Sequence, residues 1–163
     1  HATIAARDLG CPHLILRRPY WVMPKKAHVI NVSHMIEVAT YLAIQGKKVF
    51  LSSGSHDLKS LANVKNVWFL IRLITEPNEL LPLAHHKVIT GSPPFVEEQE
   101  IALLKDHDID LLVSKHSGGT LPAKITAATK LKIPIILINQ PPPPIGHKTS
   151  CMEKALTWLQ ERL

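Results

Sequence analysis

Short apolar segments alternate with amphipathic ones along most of this chain. Residues 13–17 (HLILR), 27–32 (AHVINV), 48–52 (KVFLS), 67–74 (VWFLIRLI), 87–90, 109–114 (IDLLVS) and 133–138 (IPIILI) are too short for buried helices and read as strands. Residues 67–74 are apolar throughout except for Arg72, as in a strand covered on both faces. Helical spacing falls between these segments. Met35, Ala39 and Leu42 share one face of a predicted helix over 34–45, which Ser33 can cap and Gly46 ends. A short helix over 57–62, one running from Gly91-Ser92-Pro93-Pro94 to about 106, and one over 121–131 follow. Residues 2–9 read as the last turns of a helix closed by Gly10 and Pro12. The final helix starts at Ser150, with Ser150 and Glu153 as a capping box and Met152, Leu156, Leu159 and Leu163 along one face. Strand–helix alternation of this kind predicts an α/β fold, a Rossmann-like, doubly wound, mainly parallel sheet.

Composition narrows the function classes. With 45% hydrophobic and 20% charged residues in 163, the chain is globular and of a length for one domain, or one domain plus part of a neighbour. No apolar run is long enough to cross a bilayer and no export leader opens the chain, so neither a membrane nor secretion is expected. Two cysteines, Cys11 and Cys151, fit a reducing cytoplasm and read as small buried residues. Nineteen Lys and Arg against thirteen Asp and Glu leave a net charge of +6, which calls for an anionic partner. The basic residues come as scattered pairs without interleaved aromatics. An acidic metabolite or a phosphate ligand is therefore expected before a nucleic acid.

In doubly wound sheets, ligands bind outside the carboxyl ends of the strands, and two loops there have suitable chemistry. The stronger runs from Val113 through Lys115, His116, Ser117, Gly118 and Gly119 to Thr120. A Gly-Gly pair lets backbone N–H groups approach an anion, the hydroxyls add donors, and Lys115 adds a full charge. No carboxylate follows until well beyond the next helix. The alternative is an ordinary tight turn with Thr120 as a cap. The second loop, Ser52 to His56, offers Ser53, Gly54 and Ser55, with Asp57 partly opposing an anion. Glu97, Glu98 and Glu100 suit the dipole of their helix and exclude its start as an anion site. The ten histidines show no HxH or HExxH spacing, so no metal is expected, and no G-x-S-x-G elbow supports a hydrolase. Arg72 reads as one half of a buried ion pair or as a cleft residue, and Trp68 and Trp158 as core.

The segment Leu111-Leu112-Val113-Ser114-Lys115-His116-Ser117-Gly118-Gly119, followed by Lys124-Ile125-Thr126-Ala127-Ala128 and Lys132-Ile133-Pro134-Ile135, resembles the precorrin-6A reductase family of cobalamin biosynthesis. Val49 to Gly54, Trp68 to Arg72, Pro94-Phe95 with Glu97 to Glu100, and Cys11-Pro12 through Trp21 are similar to further family segments in the same order. Ser92-Pro93 stands where arginine-glycine is usual, and His116 replaces an asparagine. The family's N-terminal portion has no counterpart. Residues 1–20 are then expected to be the tail of a truncated N-terminal lobe, and 21–163 the second Rossmann-like lobe of a two-lobe enzyme. The resemblance implies reduction of precorrin-6A, or its cobalt form, to precorrin-6B by NADPH, with no metal needed for the step. Beside it, Lys115 is expected as the catalytic residue, by substrate charge or as a proton source, and Ser117, Gly118, Gly119, Ser53, Gly54 and Ser55 as cofactor contacts, the glycine loop holding cofactor phosphates or a substrate carboxylate. Arg72, Lys124 and His116 are implied as substrate contacts. The implied partners are the acidic tetrapyrrole and other corrin-pathway enzymes. A phosphosugar- or anion-binding module without reductase activity is the alternative.

Overall fold

A computed structural model of the chain describes residues 2–44, 47–54 and 57–162, so the expectations on Gly46, Ser55, His56 and Leu163 lie outside the described residues. The described residues form two compact units. The larger holds Val22–His116 and Thr120–Gln140; the smaller holds the segment up to Trp21, Ser117–Gly119 and the chain from Pro141.

The larger unit is built on a six-stranded sheet in the order β2-β7-β6-β3-β4-β5, where β2 is Val29–Val32, β3 Lys48–Ser52, β4 Trp68–Leu73, β5 His86–Thr90, β6 Leu111–Lys115 and β7 Ile135–Ile138. Every pairing is parallel. This is the expected α/β architecture, and its cause lies in the strand composition. A parallel sheet must be covered on both faces, and β7 is buried at all four positions and β6 at its first four. Alternate residues serve opposite faces. Val49, Leu51, Phe69, Ile71, Leu111, Val113 and Ile136 pack in one core with Met35, Val38, Ala39 and Leu42 of α2 (Met35–Ile44) and with Leu58 and Leu61 of the 3-10 helix Leu58–Leu61. The opposite parity carries Phe50, Leu70 and Leu112. On that side Arg72 of β4 meets Glu100 of α3 (Glu97–Asp106), and α3 packs on α4 (Ala123–Lys130). The start of α2 is closed by Glu37, whose carboxylate accepts the N–H groups of Ser33 and His34 at 3.0 Å each.

The smaller unit contains α1 (Ala2–Asp8), β1 (Leu14–Leu16), β8 (His147–Thr149) and α5 (Met152–Gln160). Gly10, at φ +65°, ends α1 as expected, and the Cys11 N–H donates to Ala6 O at 2.8 Å. Other expectations here need correction. β8 pairs in parallel with β1, Leu14 opposite His147 and Leu16 opposite Thr149, and the chain from Pro141 clusters with the segment up to Trp21 and with Ser117–Gly119. The sequence His-Lys-Thr has no apolar pattern by which such a strand could be read. The Ser150–Glu153 capping box is absent from α5, which starts at Met152 behind Cys151, whose N–H donates to Thr149 Oγ1 at 3.1 Å. Met152, Leu156 and Leu159 are 60%, 52% and 50% exposed, and Ala155 is the buried residue of that helix. Cys11 is exposed and Cys151 partly so, both as free thiols. Trp68 and Trp158 are half-buried rather than core: Trp68 stacks on His107 and the Arg162 guanidinium lies 4.2 Å from the Trp158 ring centroid. Among the described residues no helix is long and apolar enough to cross a membrane.

The contrast between the two kinds of leucine is testable by urea unfolding of the chain. Leu112, fully buried in the central sheet, should cost about 2–5 kcal/mol when replaced by alanine. Leu156→Ala should change stability by less than about 1 kcal/mol.

Candidate functional site

The order of the strands singles out one place in the larger unit. From β3 the chain moves outward through β4 to β5; it then returns to lay β6 on the other side of β3 and continues outward to β7. β3 and β6 are therefore neighbours whose connections leave in opposite directions, which opens a crevice at their carboxyl ends. Ser52 pairs with Ser114 in the register there. Both loops singled out in the sequence emerge at this point.

On the α2 face, Lys115 at the end of β6 forms an ion pair with Asp57, which precedes the 3-10 helix. Both side chains are about two-fifths exposed, at 43% and 39%. The chain following Lys115 carries no nearby carboxylate, yet the fold supplies one from 58 residues away. Asp57 was legible only as a residue opposing an anion in its own loop. Its partner is fixed by the β3–β6 pairing.

On the α3/α4 face lies a second cluster. Arg72 and Glu100 meet as a double ion pair, Nη1 to Oε1 at 2.8 Å and Nη2 to Oε2 at 2.9 Å, with side chains 8% and 3% exposed. The guanidinium lies 4.0 Å from the Phe95 ring centroid and 4.7 Å from that of Phe50. The Lys124 amine, from the first turn of α4, donates to Ser52 Oγ. Burial foremost, and then the Arg72 charge, push the Lys124 amine down to about 8, while Glu100 opposes them. Glu100 was read as a dipole-stabilising acid of the first turn. Its spacing of four from the buried Leu104 is the signal that it faces inward.

Ser53 Oγ is buried without a hydrogen-bond partner, and Gly54, at φ +83°, has open space where a Cβ would stand. A buried hydroxyl of this kind calls for a partner from outside the described atoms, and the oxygen of a phosphate or carboxylate would suit it. His116 is buried and its backbone N–H donates to Ile138 O at 2.9 Å. Ser117, Gly118 and Gly119 belong to the smaller unit. Ser117 is exposed, Gly118 and Gly119 adopt φ of +71° and +85°, and the Gly119 N–H donates to Pro19 O at 2.8 Å. A Cβ on Gly119 would lie 3.3 Å from Arg18 Cδ, a close approach that favours glycine. This loop does not lead straight into a helix, because α4 begins at Ala123 behind Pro122. Among the described residues no group of three or more His, Cys, Asp or Glu gathers as a metal site would require.

A sequence profile of the precorrin-6x reductases, CbiJ/CobK, matches residues 1–160. The chain belongs to that family. The precorrin-6A reductase of Rhodococcus erythropolis is 34% identical over 161 residues, covering 98% of this chain and 64% of the relative. That of Mycobacterium tuberculosis is 38% identical over 162 residues, covering 98% and 65%. A cobalt-precorrin-6A reductase of Methanothermobacter thermautotrophicus is 26% identical over 151 residues. Among solved structures, CobK precorrin-6A reductase matches with a TM-score of 0.91 at 26% identity, covering 98% of this chain and 66% of that one. This precorrin-6x reductase chain thus spans just under two thirds of the length of the first two relatives and of CobK.

The Lys124 amine gives a pH-dependent stability with a defined sign. Below about pH 8 it is charged in the folded and unfolded chain alike, and enclosing that charge opposes folding in full. Between about 8 and the ordinary 10.5 the folded chain binds fewer protons than the unfolded one, so stability rises with pH. Urea unfolding of Lys124→Met beside the parent chain should therefore favour the variant more at pH 7 than at pH 10, by about 1–3 kcal/mol.

Proposed function

We propose that the enzyme to which this chain contributes reduces a ring double bond of precorrin-6A to give precorrin-6B, with NADPH as the hydride source. The observation that carries this reading is the pair of lysine amines at the carboxyl ends of the central strands, Lys115 on one face of the sheet and Lys124 on the other, in a chain of this family. The substrate is a polycarboxylate macrocycle and the cofactor carries phosphates. The two cationic amines and the partnerless Ser53 hydroxyl are each donors suited to anionic oxygens. When bound, the nicotinamide supplies the hydride; the protein supplies orientation and charge compensation.

Lys115 faces the reactive region in this reading. Asp57 holds its amine at the end of β6 until a substrate carboxylate competes for it. Ser53 and Gly54, with Ser55 beyond them, and Ser117, Gly118 and Gly119 hold the cofactor phosphates. His116 and Lys124 serve the substrate, and Arg72, engaged by Glu100, acts on Lys124 through its charge. The length that the relatives have in addition supplies the other lobe. The cobalt-free substrate is preferred, because the relatives at 34% and 38% identity are named for precorrin-6A and the one at 26% for its cobalt form. Two free thiols suit a cytoplasmic enzyme.

The product of the complete gene, given NADPH and precorrin-6A, should consume the nicotinamide absorbance in step with precorrin-6B formation. No turnover by folded protein on verified substrate would overturn the reading; thermal protection by a sugar phosphate and none by NADPH would point to an anion-binding module instead. Lys115→Ala should lower kcat/KM about 10- to 100-fold, the range for a lost charged hydrogen bond.

A further inference from the structure

Reduction by hydride raises a question that the pairing of Lys115 does not answer. The hydride brings one hydrogen and two electrons to one end of the ring double bond. The other end of that bond gains the displaced electron pair and must take a proton. We propose that Lys124 is the donor of this proton and that the Arg72–Glu100 pair is the device that positions and tunes it.

The inference rests on the reductase reading and on four features of the larger unit. Lys124 Nζ sits at the carboxyl end of β3, where its partner is the hydroxyl of Ser52, a neutral group. Lys115, by contrast, is held against the carboxylate of Asp57, an arrangement suited to holding charge. Next along the chain from Ser52, Ser53 has a buried hydroxyl without a partner, so the loop after β3 offers a hydroxyl to a polar ligand atom. Finally, the charged groups acting on Lys124 come from two elements packed around it, Arg72 from β4 and Glu100 from α3. The other charged groups of α3 and α4 near that face, Glu97 and Lys130, pair with one another.

An amine enclosed beside a guanidinium gives up its proton more readily than one in water, and Lys124 accordingly exchanges near pH 8. The step balances. The N–H bond of the Lys124 ammonium breaks, the proton joins the ring atom that received the electron pair, and the neutral amine regains a proton from water. Arg72 and Glu100 act through Lys124. Their double ion pair fixes the guanidinium between Phe50 and Phe95, at a distance from the amine that lowers its proton affinity without a direct bond.

Two measurements on the complete gene product test this. In the protein without ligands, carbon-13 resonances of the lysine ε-carbons, with Lys124→Met to assign the signal, should show Lys124 titrating near 8. In folded Glu100→Gln that midpoint should fall, since the one opposing carboxylate is gone; a pair that merely braces the fold would leave it unmoved. Lys124→Arg keeps the charge and the hydrogen bond to Ser52 but cannot release a proton. It should lose about 10²- to 10⁴-fold in kcat, with the KM for NADPH changed less than about threefold, and should lose the alkaline limb of the wild-type pH profile. Lys124 titrating with the other lysines, or Lys124→Arg turning over at the wild-type rate and pH profile, would overturn the proposal. Absence of NADPH oxidation by the wild-type protein would overturn the reductase reading first, and this proposal with it.

Discussion

Because every strand of the six-stranded sheet runs in the same direction and both its faces are covered, a polar side chain has few places in which to be both ordered and reachable. The pairing of β3 with β6 creates the main one. It joins two strands whose connections diverge, and the register that sets Ser52 beside Ser114 brings the loops after both strands to a common edge. Asp57 reaches Lys115 on one face and Lys124 reaches Ser52 on the other as consequences of that single pairing. The alternation of side chains in β3, with Phe50 and Ser52 on the face opposite Val49 and Leu51, keeps the two clusters apart across the sheet.

The α3/α4 face shows how a charge can be enclosed in such a sheet. Placing a guanidinium and a carboxylate out of water is costly, and the attraction between them offsets that only with good geometry. Here the two parallel hydrogen bonds of 2.8 and 2.9 Å and the rings of Phe50 and Phe95 provide it. Apolar residues of similar volume could fill the same space. What they could not do is place a fixed positive charge near the Lys124 amine and lower its proton affinity. The pair is thus better understood through its neighbour than through its own stability.

The strands were legible because they are short, mainly apolar segments between helix-spaced ones, and the seven such segments read from the sequence correspond to β1 through β7. β8 was not, since His147, Lys148 and Thr149 are placed by pairing with β1 and carry no pattern of their own. The two site loops were legible from glycine and hydroxyl composition. Their partners were not: Asp57 and Lys115 lie 58 residues apart, and Glu100 and Arg72 28 apart, and only the strand order brings them together. The mirror case is α5, where Met152, Leu156 and Leu159 have helical spacing as clear as that of α2, yet remain exposed. Periodicity identifies a helix face and not what lies against it.

The proposed function requires ligand to be held at the carboxyl ends of β3 and β6. Amide nitrogen-15 shifts of the complete gene product, followed during titration with NADPH, test it most directly. The largest changes are predicted at residues 52–54 and 114–120. Changes concentrated instead at the amino ends of the same strands, around Lys48 and Leu111, would contradict it, as would none at saturating NADPH.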